Sequence, residues 1–267
     1  MRRYLKDAGV HAEITPDGFT EGGFVLSIGG AEQSHVDLAR PGEIFYEYLR
    51  RIGGVVDVVA APGAPVTAVH LGAGALTLAR YVAATRPGSA QVAVELEREL
   101  PAFVLEALPL PAGADVRVVI DDARAALPDV VAPGTADLVV LDVFSGRDAP
   151  AHLTEPSFYA EAAGLLAPGG VLVVNVGDDP GLAFFAGQAR AMREALADVW
   201  CLAEERLLTG RYPGNLVLVG GRRAMPREWA DAFAAAGPHP AGAGSPSGRR
   251  SRSRRRCAAR RPARPAW

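Results

Sequence analysis

Between Val66 and Glu95 the chain runs through an apolar strand, a glycine turn, a helix, a second strand and a carboxylate, an order that few folds other than a doubly wound α/β sheet accommodate. The first strand, Val66-Thr67-Ala68-Val69-His70-Leu71, is too apolar and too short for anything but a buried parallel strand. Gly72 and Gly74 in Gly72-Ala73-Gly74 let the backbone turn sharply and approach a ligand, and Ala75 to Thr85 continues at helical period. Gln91-Val92-Ala93-Val94 then delivers Glu95, 21 residues beyond Gly74. A carboxylate at that strand tip is placed to accept the two hydroxyls of a ribose, so the segment predicts a ribonucleoside site.

The turn reads Gly72-Ala73-Gly74-Ala75-Leu76-Thr77 and lacks the third glycine of the dinucleotide fingerprint. That points away from a pyrophosphate ligand such as NAD and toward S-adenosylmethionine and its relatives. The same letters also fit a plain tight turn followed by an ordinary surface Glu95.

Three further strand candidates follow in alternation with helices. Val116–Ile120 ends on Asp121-Asp122, Ala136–Leu141 ends on Asp142, and Val171–Asn175 follows Pro168-Gly169-Gly170. Helices are predicted over 97–108, over 154–166 with Thr154 as N-cap, and over 181–196; residues 199–207 and 215–219 form a closing strand pair. Parallel strands share a direction, so Glu95, Asp121, Asp122 and Asp142 converge on the crevice beyond their C-terminal ends. Ahead of the glycine turn the texture differs. His11–Ile14, Phe24–Ile28 and Gln33–Val36 read as short antiparallel strands, and a helix is predicted over 43–59 with one buried stripe.

The expected organisation is therefore a small N-terminal β unit (1–40), a nucleoside-binding domain (41–236) and a tail (237–267). The fold class is α/β: a methyltransferase-type Rossmann fold with a mostly parallel seven-stranded sheet, a closing antiparallel strand, and a small antiparallel β unit in front. An apolar content of 49% supplies the core. No run of about 18 apolar residues exists and no apolar signal region follows the first charges, so the chain reads as cytoplasmic and not membrane-bound. Cys201 and Cys257 lie too far apart in context to suggest a disulfide framework or a metal site.

The net charge of −2 hides an asymmetry. From Gly248 onward the tail carries nine of the 28 basic residues and none of the 30 acids, which leaves −11 on the chain before it. An acidic body argues against nucleic acid as the main substrate and suits a cationic one. The tail has too few apolar residues to fold and is expected to be disordered. RNA or anionic membrane would suit its charge, but a tail without specific function is the preferred reading.

The chain resembles the spermidine synthase family of aminopropyltransferases over roughly residues 23–221. The residues that carry the likeness are Gln33 after Gly29-Gly30, Phe45-Tyr46-Glu47, Gly72-Ala73-Gly74, Glu95, Asp122-Ala123, Leu141-Asp142, the start of the helix between Leu153 and Tyr159, Pro168-Gly169-Gly170 and Tyr212-Pro213. The resemblance implies that Gln33 and Glu95 hold the methionine-derived part and ribose of the nucleoside, that Asp122 meets the adenine amine, and that Asp142 is the acid at the reacting centre. It also implies that Tyr212 lines an amine pocket to which Tyr46 and Ser145 belong by position. Three positions depart from the family pattern. Ala75 stands where an aspartate usually meets the aminopropyl amine, Ser145 where a second acid follows Asp142, and Phe45-Tyr46 where the family commonly has tyrosine and histidine. Three expectations stay open: aminopropyl transfer from decarboxylated S-adenosylmethionine to a small-molecule amine, methyl transfer from S-adenosylmethionine, or a silent nucleoside-binding protein. No metal is expected, and the family resemblance suggests a homodimer or homotetramer.

Overall fold

The first strands meet the rest of the protein through one apolar face. In the computed structural model, which describes residues 1–143, 149–237 and 241–244, β1 (Arg2–Leu5), β2 (Val10–Pro16), β3 (Gly23–Ile28) and β4 (Ala31–Asp37) form an antiparallel meander. Alternation along these strands turns Leu5, Ala12, Ile14, Leu26 and Val36 to one side, where they pack on Leu100, Phe103, Val104 and Leu108 and on Ala75 of the glycine turn. β1 was not expected from its charged letters.

The second sheet has the order β12-β10-β11-β9-β8-β5-β6-β7, with β5 (Thr67–Leu71), β6 (Ala90–Glu95), β7 (Asp115–Ile120), β8 (Ala136–Leu141), β9 (Leu166–Asp178), β10 (Asp198–Glu204), β11 (Gly214–Gly221) and β12 (Ala241–Gly244). β7, β6, β5, β8 and β9 pair in parallel, and β11 runs antiparallel between β9 and β10. This is the expected methyltransferase-type arrangement, and the strand order reverses between β5 and β8, where such sheets open a crevice. β12 is an eighth strand on the outer edge of β10. The structureless tail expected from residue 237 is corrected to that extent, because the exposed backbone of an edge strand pairs with a neighbour whatever its side chains. The arginine-rich remainder lies outside the described residues.

Helices α1 (Glu47–Val58), α2 (Thr77–Thr85) and α7 (Glu228–Ala236) cover one face of the sheet, packing on Ala68, Leu138, Val140, Val171 and Val173. α5 (Pro156–Gly164) and α6 (Ala183–Ala195) cover the other, on Val69, Leu71, Val139, Leu141, Leu172 and Val174. α3 (Leu100–Ala107) and the single turn α4 (Leu127–Val130) complete the order. α1 begins four residues later than expected because Tyr46 is extended, with ψ 133°. Thr154 does not cap α5; its hydroxyl donates to Ala151 O at 2.8 Å and closes the preceding turn. Pro168-Gly169-Gly170 forms an irregularity inside β9, where the register against β8 slips between Ala136 and Leu138. No helix among the described residues is long and apolar enough to cross a membrane.

Candidate functional site

The parallel ladder continues one step past the strand tips and so fixes the acids side by side. Gly72 N–H donates to Val94 O, Asp142 N–H to Leu71 O and Asp121 N–H to Glu95 O, at 2.9, 2.9 and 3.0 Å. Gly72 has φ 95°, and a Cβ there would lie 2.5 Å from Asp142 O; Gly74 has φ 50° and its Cβ would meet Ser34 Oγ at 2.7 Å. Both positions therefore demand glycine. Leu76, at φ 59°, is held left-handed just before α2 and stores strain at the turn.

Beneath this turn opens a cavity of about 340 Å³. Gln33, Gly72, Gly74, Glu95, Asp121, Asp122 and Asp142 all line it, so seven of the residues singled out from the sequence are brought together. Gln33 and Ser34 come from β4, and Ser34 Oγ accepts from Ala75 N–H at 3.2 Å. The N-terminal sheet thus forms one wall of the cavity. Ala75 is 1% exposed and offers no polar group there.

Each acid has a distinct setting. Glu95 accepts from Ala73 N–H (3.1 Å) with one oxygen and from Glu97 N–H (3.0 Å) with the other, which ties the strand tip to the glycine turn and leaves lone pairs for a ligand. Asp122 accepts from Arg124 N–H and Ala125 N–H through Oδ1 and meets His152 Nε2 at 2.7 Å through Oδ2. Burial alone would raise its pKa, but the Ala125 N–H, His152 and the Arg124 N–H outweigh it and hold the carboxyl below the usual range. Asp121 accepts from the N–H of Asp122 at 2.8 Å.

Asp142 sits deepest. Burial pushes its carboxyl above the usual range, opposed by Asn175 Nδ2, which donates to Oδ1 at 2.8 Å, and by the Tyr48 hydroxyl, which donates to Oδ2 at 3.2 Å. Burial and the carboxylate beside it push the Tyr48 phenol far above its ordinary value, so it stays a donor. Asn175 Oδ1 is buried without a hydrogen-bond partner.

Two expectations fall elsewhere. Tyr46 does not line the cavity; it stands just outside α1, and its hydroxyl donates to Glu32 at 3.2 Å. Tyr48, two residues on, is the tyrosine that α1 turns inward. Tyr212 is half exposed beneath the Arg206 guanidinium at 6.0 Å and does not line the cavity; its loop enters β11, which β9 and β8 separate from β5. Ser145 lies outside the described residues. Sequence reasoning missed Tyr48, His70, Glu97 and His152. Tyr48 falls in the apolar stripe of a helix and His70 in an apolar strand, so their polar ends carry no separate signal in the sequence. Among the described residues, the group of acids close enough to share a cation is Asp7, Glu97 and Glu99, within 4.8 Å of one another, and Lys6 Nζ already stands 3.9 Å from Glu99.

Among solved structures, the chain is similar to a probable spermidine synthase from Corynebacterium glutamicum, with a TM-score of 0.80, 30% identity and 88% of each chain covered. A spermidine synthase in complex with the transition-state analogue AdoDATO matches with a TM-score of 0.62 and 14% identity, over 82% of this chain and 73% of that one. Human methyltransferase-like protein 13 in complex with SAH matches with a TM-score of 0.55 and 17% identity, over 71% and 89%. No protein-family model and no curated protein matches the chain. The fold is that of S-adenosylmethionine-type transferases. At the identity and coverage of the corynebacterial likeness, the chain belongs to the spermidine synthase family.

Proposed function

We propose that this protein transfers an aminopropyl group from decarboxylated S-adenosylmethionine to a small-molecule amine and releases methylthioadenosine. The observation that carries this reading is the charge of the cavity. Five carboxylates line it (Glu95, Glu97, Asp121, Asp122 and Asp142), and no lysine or arginine does so among the described residues. A ligand carrying a sulfonium and an ammonium but no carboxylate matches such a lining better than a zwitterionic amino acid or any phosphate. Family membership and the AdoDATO complex of a structural neighbour support the same choice.

The residues suit the chemistry. An alkyl ammonium must shed a proton before its nitrogen can attack, and a carboxylate with a raised pKa is the better acceptor for that proton. Asp142, once ionised, takes the proton; the nitrogen lone pair forms the new C–N bond as the C–S bond breaks, and the electron pair leaves on sulfur as a neutral thioether. Tyr48 and Asn175 orient Asp142, and alignment supplies much of the rate. Glu95 and Asp121 hold the ribose side.

Methyl transfer from S-adenosylmethionine is the second reading, favoured by one observation: the apolar Ala75 removes an acid that would select an amine over an amino acid. Calorimetric titration with S-adenosylmethionine, its decarboxylated form and methylthioadenosine separates the two. Tighter binding of the decarboxylated form, with methylthioadenosine released on adding an amine, is the expected result. Preference for S-adenosylmethionine overturns the aminopropyl reading, and no nucleoside binding overturns both.

A further inference from the structure

Behind Asp142 the cavity extends between the sheet and the first turns of α1 and α2, where Tyr48, Leu49, His70, Leu78 and Val140 line it. His70 pairs in register with Val140, and Val140 with Val173. Alternation then puts His70, Asp142 and Asn175 on one face, with Asp142 and Asn175 side by side and His70 one pleat back on the next strand, its Cα roughly 8 Å from that of Asp142. On the rest of this face the sheet presents Ala68, Leu138, Val171 and Val173, so the polar residues stand out.

The protonation of His70 follows from its partners. Gln91 Nε2 donates to Ala79 O at 3.1 Å, which leaves Gln91 Oε1 as the acceptor for His70 Nε2–H at 2.9 Å. The proton is on Nε2, and Nδ1 carries a lone pair. Burial holds the imidazole neutral, with its pKa pushed down to about 4. Nδ1 has no hydrogen-bond partner among the described residues and is not fully enclosed, and His70 lines the cavity. Asn175 Oδ1, also without a partner, is fully enclosed and does not line the cavity. This annex therefore offers one carboxylate, one neutral acceptor in His70 Nδ1 and the apolar walls of Leu49, Leu78 and Val140.

We propose that the annex receives the acceptor substrate, and that this substrate is a short aliphatic amino alcohol whose hydroxyl donates to His70 Nδ1 while its amine faces Asp142. The inference rests on the aminopropyl reading above. Asp142 compensates one ammonium; a second ammonium at the far end of a diamine would lie against a neutral imidazole with no counter-charge among the described residues of the annex. A hydroxyl needs only a lone pair. His70 is then the specificity-determining residue.

The test compares 4-aminobutan-1-ol, 1,4-diaminobutane and butylamine as acceptors with decarboxylated S-adenosylmethionine, after methylthioadenosine binding has been checked by calorimetry. The wild type is expected to favour the amino alcohol over the diamine at least tenfold in kcat/KM. His70→Asp is expected to reverse that preference, and His70→Leu to remove the advantage of the amino alcohol over butylamine; far-ultraviolet circular dichroism reports whether each is folded. His70→Asn, a neutral acceptor, is expected to restore part of the advantage and keeps the test open if His70→Asp does not fold. A wild type that prefers the diamine, or a folded His70→Leu with unchanged selectivity, overturns the role of His70 and leaves the reaction standing. Failure to bind methylthioadenosine overturns the reaction and this inference together.

Discussion

In the proposed reaction Asp142 takes the proton, and its environment sets a pH dependence. It must be ionised to take a proton, and burial raises its pKa, so kcat/KM is expected to climb with pH through a limb lying above the ordinary carboxylate range. Tyr48→Phe removes a bond that favours the ionised form. The limb should then move further up by roughly half a unit to one unit, as a hydrogen bond of about 1 kcal/mol implies, which a pH profile of both proteins would read. Asp142→Asn should lower turnover by at least about a hundredfold while the protein stays folded; unchanged turnover would remove Asp142 from the reacting centre. At this scale the acids and glycines were legible because they stand at strand ends, where the order of elements dictates their place. Tyr48 and Tyr46 could not be told apart, since two residues at the start of a helix point in nearly opposite directions and the starting residue was not fixed by any cap.

The elements are joined by buried arginines that bond only to backbone. Arg86, 2% exposed, donates to Val56 O, Asp57 O, Ala60 O, Ala61 O and Ala64 O, closing the end of α1 and the loop that leads to β5. Arg86→Met should lose about 3 kcal/mol or more in urea unfolding, because it leaves buried carbonyls without donors. Arg86→Lys should recover little of it, since one ammonium cannot span that fork. Glu97 shows the opposite sign. Burial first, then Asp7, Glu95 and Glu99, raise its pKa, so the folded state binds more protons than the unfolded one and stability falls as pH rises through that window. Glu97→Gln should therefore raise the melting temperature at pH 7, and the gain should vanish in acid. Element types were legible from their period. The start of α1, the bulge at Pro168–Gly170 and the strands β1 and β12 were not, because caps, register slips and edge pairing depend on neighbours distant in the chain.

On the scale of the molecule, an acidic body and a cavity lined with carboxylates act together. Attraction for the proposed dicationic nucleoside would be screened by salt, so its association rate should fall steeply between about 20 and 500 mM salt, as stopped-flow fluorescence would show, while the dissociation rate changes little. The doubly wound sheet and the crevice at its switch point were readable from the alternation of strands and helices. The annex was not, since it arises only where α1 and α2 settle over the sheet.

The packing of the first four strands on α3 has a consequence for the order in which the protein can be completed. Leu5, Ile14, Leu26 and Val36 share one apolar cluster with Leu100, Phe103, Val104 and Leu108 and with Ala75. During synthesis the chain must therefore run past Leu108 before these strands can complete the burial of their apolar side, and the wall they give the cavity is seated late. A peptide of residues 1–40 should accordingly show no cooperative melt by circular dichroism.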